Sequence, residues 1–253
     1  MTRPTILITG AAKRIGADIA RAFGTNGWHV IIHYGSSVIE AEELAETLPS
    51  AEAIHCDLFD SDAAVAMIKS LAARLDDWRV LINSASIFRP DDVTAMDSKA
   101  YDRMMRINAK TPTRMAQAFL SHAKAQGGRR VIQVTDQKIE NSNPDFFSYT
   151  MSKHALASTI EMLADGAAGP EDRVYGLAPG AILPSHDQTA EETGKSHVLN
   201  LLKRKTAAAE IAGAMRFLAD GHLESGKMLF VDSGQHLLNQ PRDVIYLARD
   251  GAI

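Results

Sequence analysis

Apolar runs too short to be helices recur along this chain, and each is followed by a longer stretch with the 3.6-residue period of a helix. Thr5–Thr9, His29–His33, Ala53–Cys56, Val80–Asn83, Val131–Val134, Arg173–Leu177 and Met228–Val231 read as strands. Ile15–Phe23, Val38–Leu48, Ser61–Leu75, Phe147–Ala164 and Ala208–Ala219 read as helices, and two more are expected near Ser98–Asn108 and Pro112–Gln126. In the first helix Ile15, Ile19, Ala22 and Phe23 share one face, while Pro49 stops the second helix and Gly127-Gly128 follow the one before the fifth strand. Repeated strand–helix order requires an α/β fold with a parallel sheet covered on both faces. Linkers, internal repeats and low-complexity tracts are absent, so residues 1–253 are expected to form a single domain.

Composition removes several function classes. A formal net charge of −4 gives no general attraction for polyanions, so no nucleic-acid partner is expected. A single cysteine, Cys56, forbids an intramolecular disulfide and suits a reducing, cytoplasmic setting, with Cys56 itself a small buried hydrophobe. The apolar core of the N-terminal segment is only three residues long, too short for a signal peptide, and no run reaches the length needed to span a membrane. The nine histidines form no H-x-x-H or H-x-x-x-H cluster with acids nearby, so no metal site is expected. Trp28 and Trp78 precede strands and read as packing residues. One segment breaks the rhythm: about 181–206, with Pro184, His186, Gly194 and the basic run Lys203-Arg204-Lys205. Falling directly after Pro179-Gly180, at a strand's C-terminal end, it is placed to be a substrate lid.

The first strand runs into Thr9-Gly10-Ala11-Ala12-Lys13-Arg14-Ile15-Gly16, which opens a helix. Small residues at such a turn let backbone N–H groups approach a pyrophosphate, and the helix N-terminus favours the anion. The second strand ends in His33-Tyr34-Gly35-Ser36-Ser37, with no carboxylate before Glu40. An acid there would bind the ribose 2′-hydroxyl of NAD and repel a 2′-phosphate, whereas Ser36, Ser37 and Lys13 can hold one, so NADP(H) is the expected cofactor.

Tyr149 and Lys153, spaced i,i+4 near the start of the Phe147 helix, share one face. An ammonium beside a phenol favours the phenolate, so Lys153 is expected to lower the pKa of Tyr149 and fit it for proton donation near neutrality.

Together, Thr9-Gly10…Gly16, Asn83-Ser84-Ala85, Asn108, Tyr149-x-x-x-Lys153 and Pro179-Gly180 resemble the motifs of short-chain dehydrogenase/reductases, in order and spacing, over nearly the whole chain. The resemblance implies a doubly wound Rossmann fold with a seven-stranded parallel sheet, usually assembled as a homotetramer. It implies Tyr149 as proton donor, Lys153 on the nicotinamide ribose, Asn108 supporting a relay water through its helix, and Asp57 at the adenine. The implied cofactor wall is completed by Gly10, Lys13, Arg14, Ile15, Gly16, His33, Tyr34, Ser36, Ser37, Leu58, Asn83, Ser84, Ala85, Ser86, Pro179 and Gly180.

Two departures from the common pattern narrow the resemblance. Arg14 stands where the loop usually has glycine, and Asp136 replaces the serine thirteen residues before the tyrosine. Both are similar to pteridine reductases and the bacterial dihydromonapterin reductases, as is His33-Tyr34 followed by serine. That subgroup implies a pterin contacted by Arg14, Ser86, Phe88, Asp136, Tyr149 and Leu183, with the Phe88 ring sandwiching it against nicotinamide. A serine hydroxyl suits a ketone oxygen, whereas a pterin C=N bond needs hydride at carbon and a proton at ring nitrogen, which a carboxyl paired with a phenol can relay. The expected reaction is NADPH-dependent conversion of a dihydropterin to a tetrahydropterin. The alternatives are a carbonyl or 3-oxoacyl thioester reductase and a non-catalytic NADP(H)-binding regulator. The tail Gln235–Ile253 outlasts the family pattern, and either reaches a neighbouring subunit's active site or pads an interface.

Overall fold

In the computed structural model, residues 3–185 and 187–250 are described. Seven strands form one sheet: β1 (Thr5–Ile8), β2 (His29–Tyr34), β3 (Ala51–His55), β4 (Trp78–Asn83), β5 (Arg130–Val134), β6 (Arg173–Pro179) and β7 (Met228–Val231). Every pairing is parallel and the order is β3-β2-β1-β4-β5-β6-β7. The chain winds outward from β1 in one direction, then restarts at β4 in the other. A crevice therefore opens at the carboxyl ends of β1 and β4, where an open α/β sheet binds its ligand.

Helices α1 (Arg14–Gly24), α2 (Val38–Thr47), α3 (Ser61–Arg74), α4 (Ser98–Met104), α5 (Thr111–His122), α6 (Phe147–Gly166), α7 (Ala190–Ser196), α8 (Ala208–Asp220) and α9 (Val244–Arg249) complete the described secondary structure, with 3₁₀ turns at Gln137–Ile139 and Gln235–Leu237. Strand residues alternate between two cores. Leu7, Ile31, Leu81 and Val131 pack with Ile68, Leu71, Phe119 and Ile160 on one face. Ile6, Ile8, Val30, Ile32 and Ile82 pack with Ile19, Phe23 and Met215 on the other. With both faces buried, the strands carry apolar residues at successive positions, which is what made them legible.

Boundaries moved where tertiary contacts extend a strand. Trp78, expected just before β4, is its first residue and wholly buried, edge-on to Phe119. The two helices expected at Ser98–Asn108 and Pro112–Gln126 are one continuous run: α4 passes through a π-helical turn at Met105–Lys110 into α5. Proline tolerates the first turn of a helix, where its missing N–H is not needed. Pro112 occupies that position in α5, and the wider π turn joins it to α4. The segment 181–206 is not all loop, since it contains α7, whose N-terminus is closed by a capping box between Thr189 and Glu192. Among the described residues, no helix is long and apolar enough to cross a membrane.

Candidate active site

The β1–α1 turn is held too tightly for side chains. Gly10 has φ +67°, and a Cβ there would lie 3.0 Å from Ala85 Cα; a Cβ on Gly16 would lie 2.5 Å from the Gly10 carbonyl oxygen. Thr9 Oγ1 accepts from the N–H groups of Ser84 (2.9 Å) and Ala85 (3.0 Å), fastening the end of β4 to the end of β1. The resulting cleft is walled by Gly10, Lys13, Arg14, Ile15, Gly16, Tyr34, Ser36, Ser37, Asp57, Leu58, Ser84, Ala85 and Ser86, and by Tyr149, Lys153 and Pro179.

His33 lies in the same wall but works from beneath. Its Nδ1 accepts from the Gly10 N–H (3.2 Å), so Nε2 carries the proton and donates to the Cys56 carbonyl (3.0 Å). Burial pushes its pKa down to about 4, which keeps the ring neutral and able to play both roles. Both ring nitrogens are thus engaged within the protein, and His33 braces the turn. Lys13, expected to be available for a phosphate, pairs with Glu40, and both side chains are about half exposed. Asn83, expected on the wall, points below it: its Nδ2 donates to Pro112 O (3.1 Å) and Gln133 Oε1 (3.0 Å), tying β4 to β5 and α5.

Asp136 follows β5 by two residues, and its backbone is extended, so its carboxylate caps the 3₁₀ turn at the Lys138 N–H (3.0 Å) and reaches α6. There the Tyr149 hydroxyl donates to Asp136 Oδ2 at 2.6 Å. Asp136 keeps part of its surface open to the cavity, yet protein encloses it closely enough that burial pushes its carboxyl above the usual range against the pull of Tyr149. Tyr149 departs from expectation. Burial first, and the Asp136 charge second, hold its phenol well above the ordinary value. Lys153 is itself buried, donates to the Val134 carbonyl at 2.8 Å, and has its pKa lowered by burial to about 8. A carboxylate in direct contact outweighs an ammonium bonded elsewhere. Asn108 is not on either cavity wall. Its amide pairs with both the N–H and the carbonyl of Ile87 (2.8 Å each) and donates to Ser152 Oγ (3.0 Å), so it fixes the β4 loop and α6 relative to the π turn.

A second cavity, of about 270 Å³, meets the first at Arg14, Ile15, Ser86, Tyr149 and Pro179. Asp136, Phe88, Gly180 and Leu183 line it, with Gly180 here rather than on the first wall. Arg14 has φ +56°, strained for any residue but glycine, and its guanidinium donates to the Pro184 carbonyl (3.0 Å). Phe88 stacks on Phe146 (4.1 Å between ring centroids) and stands edge-on to Tyr149 (4.7 Å). His186 lies outside the described residues.

The tail contributes to this chain's own cavity wall through Asp243, Val244 and Ile245. Asp243 makes a buried ion pair with Lys138 (2.8 Å), Arg242 pairs with Asp145 (2.8 Å), and Tyr246 stacks behind Phe146 (5.9 Å). These residues were invisible as site residues in the sequence, as were Gln137, Gln188 and His197 of the same wall. The Asp243-Val244-Ile245-Tyr246 run shows an N-cap and an apolar helix face but not what it packs on.

A family model described as enoyl-(acyl carrier protein) reductase matches residues 10–236. Short-chain dehydrogenase reductase 5 of Arabidopsis thaliana is 31% identical, over 90% of this chain and 93% of the relative. The chain belongs to the short-chain dehydrogenase/reductase family. Within that family it is 27% identical to pteridine reductase 1 of Leishmania tarentolae, over 93% of this chain and 97% of the relative. Among solved structures, it is similar to the FolM alternative dihydrofolate reductase 1 of Brucella canis in complex with NADP (TM-score 0.87, 31% identity, covering 95% of this chain and 96% of that one). The Brucella suis protein, also with NADP, is alike (TM-score 0.87, 32% identity, 94% and 96%).

Proposed function

We propose that this reductase converts a dihydropterin to a tetrahydropterin with NADPH. The observation that carries the reading is the hydrogen-bonded Tyr149–Asp136 pair at the junction of the two cavities, in place of a tyrosine–serine pair. The NADP complexes of the Brucella proteins and the likeness to a pteridine reductase support it.

The cleft residues fit the cofactor. The glycine turn leaves no room for a Cβ, the first-turn N–H groups of α1 lack intrahelical acceptors, and the end of β2 offers Ser36 and Ser37 without a carboxylate. Lys13 would exchange Glu40 for a 2′-phosphate, and Lys153 would hold the nicotinamide ribose. When bound, the reduced nicotinamide supplies a hydride. The chain's own residues manage the proton. Tyr149 remains a phenol at neutral pH and offers its hydrogen to a ring nitrogen, while Asp136, pushed up by burial, takes protons from the cavity and passes them to Tyr149. The balance is one hydride and one proton added across one C=N bond.

Arg14 would donate to a ring oxo group, and the segment 181–206 would close over the substrate as a lid. Assembly as a homotetramer belongs to the same reading and is checked by light scattering on a sizing column. The deciding assay follows NADPH oxidation with dihydromonapterin, dihydrobiopterin, dihydrofolate and a panel of ketones. Turnover of a pterin, with tighter binding of NADPH than NADH, is expected. Turnover of ketones alone would refute the pterin assignment.

A further inference from the structure

Gln137 follows Asp136 directly and is 4% exposed. Its backbone carbonyl accepts from the N–H groups of Glu140 and Asn141 and is satisfied. Its side chain is not. Oε1 has no hydrogen-bond partner among the described residues. A buried carboxamide oxygen left unpaired is costly in a folded protein, and its persistence calls for a reason. The residue lines the cavity that holds Asp136, Phe88 and Arg14, and takes no part in the cleft of the glycine turn. A group for the cofactor would sit on the other wall.

We infer that the Gln137 carboxamide is a specificity residue that reads a donor–acceptor edge of the substrate ring. The inference rests on the pterin reading above. A glutamine side chain carries an acceptor oxygen beside a two-proton donor. Oε1 is closed to solvent where it stands, and because the terminal torsion is soft, a half-turn of the amide is what would bring it to a ligand in the cavity. The complementary partner is a planar heterocycle whose rim places an N–H next to a carbonyl or ring nitrogen, as the lactam–amidine edge of a pterin does. A simple ketone has no such edge. Because the carboxamide loses its water when the protein folds, the substrate bond recovers a cost already incurred.

The test is Gln137→Met, which keeps length and volume but removes both polar atoms. Four quantities are read against the parent enzyme: melting temperature without ligand, the NADPH dissociation constant, and KM and kcat with a dihydropterin. The expected result is an equal or higher melting temperature, unchanged NADPH affinity and a KM raised about 10-fold or more, with kcat changed far less. A group bonded within the protein would give the opposite first reading. A variant that melts lower or fails to fold therefore overturns the inference, as does an unchanged KM. Failure of the parent enzyme to turn over any pterin would remove the pterin reading itself, and shows before the variant is made.

Discussion

Arg14→Gly is expected to leave stability nearly unchanged while weakening substrate by one to two orders of magnitude. Arg14 holds φ +56°, a left-handed conformation that costs a residue with a Cβ about 1–2 kcal/mol. Glycine removes that strain, but it loses about 0.5–1 kcal/mol through the greater freedom of the unfolded chain. The exposed bond from the guanidinium to Pro184 O, worth about 0.5–1.5 kcal/mol, is also lost. The net lies between about 1.5 kcal/mol of loss and 1 kcal/mol of gain, within about 5 °C in melting temperature for a chain of this length. Substrate has no such compensation. A charged hydrogen bond to a ring oxo group is worth about 1.5–3 kcal/mol, a rise in pterin KM of roughly 10- to 100-fold. Urea unfolding and steady-state kinetics on the same preparation measure both. Arg14→Ala serves as control, because it loses the guanidinium without relieving the strain, and should match the KM effect while melting lower than the glycine variant. A glycine variant destabilised by more than about 3 kcal/mol, or one with unaltered KM, would refute the reasoning.

Asp136→Ser should cost pterin turnover at least about 100-fold, the usual worth of a positioned acid–base group, and spare or improve any ketone activity; equal losses on both substrates would contradict the proton assignment. Lys153, its pKa lowered to about 8, is cationic below that pH, so kcat/KM should fall as pH rises through about 8, and Lys153→Arg should move that limb upward because guanidinium stays charged. A limb that does not move assigns the titration to another group. His33, held at about 4 against 6.5 in the unfolded chain, contributes stability that is complete above pH 6.5 and is lost on acidification toward 4, an effect of about 3 kcal/mol. Urea unfolding across that range should lose this part of its slope in His33→Phe. Asp243→Ala removes the carboxylate from the buried Lys138 ammonium, leaving it only the Asn143 side-chain oxygen, and should cost about 3–5 kcal/mol, whereas Asp243→Leu combined with Lys138→Met should restore most of it.

Fold and site were legible to different depths. The strands could be read because both faces of a parallel sheet are buried, leaving runs such as Ile6-Leu7-Ile8 and Val80-Leu81-Ile82 apolar throughout. Helix ends were less clear: Thr111-Pro112 looks like a break, and the π turn just before it is held where Asn108 bonds to Ile87 and to Ser152 of α6. At the site, Tyr149 and Lys153 were paired by helix spacing, whereas Asp136 was singled out by the family resemblance, and its bond to Tyr149 came from the structure. The i,i+4 pair did not reveal that Tyr149 answers to Asp136 rather than Lys153, since charge influence depends on distance and burial.

By itself, the sequence determined the βα order, the glycine turn, the absence of an acid at the end of β2 and the i,i+4 spacing of Tyr149 and Lys153. These are local facts, written in periodicity and in residues a few positions apart. Only the tertiary structure decided that the tail lines its own chain's cavity, that His33 braces the turn from below, and that Gln137 Oε1 stands without a partner among the described residues. Each depends on segments far apart in sequence meeting in space: Asp243 lies more than a hundred residues from Lys138, and His33 meets a turn it never touches along the chain. Such contacts are set by how the layers pack, which no local pattern encodes.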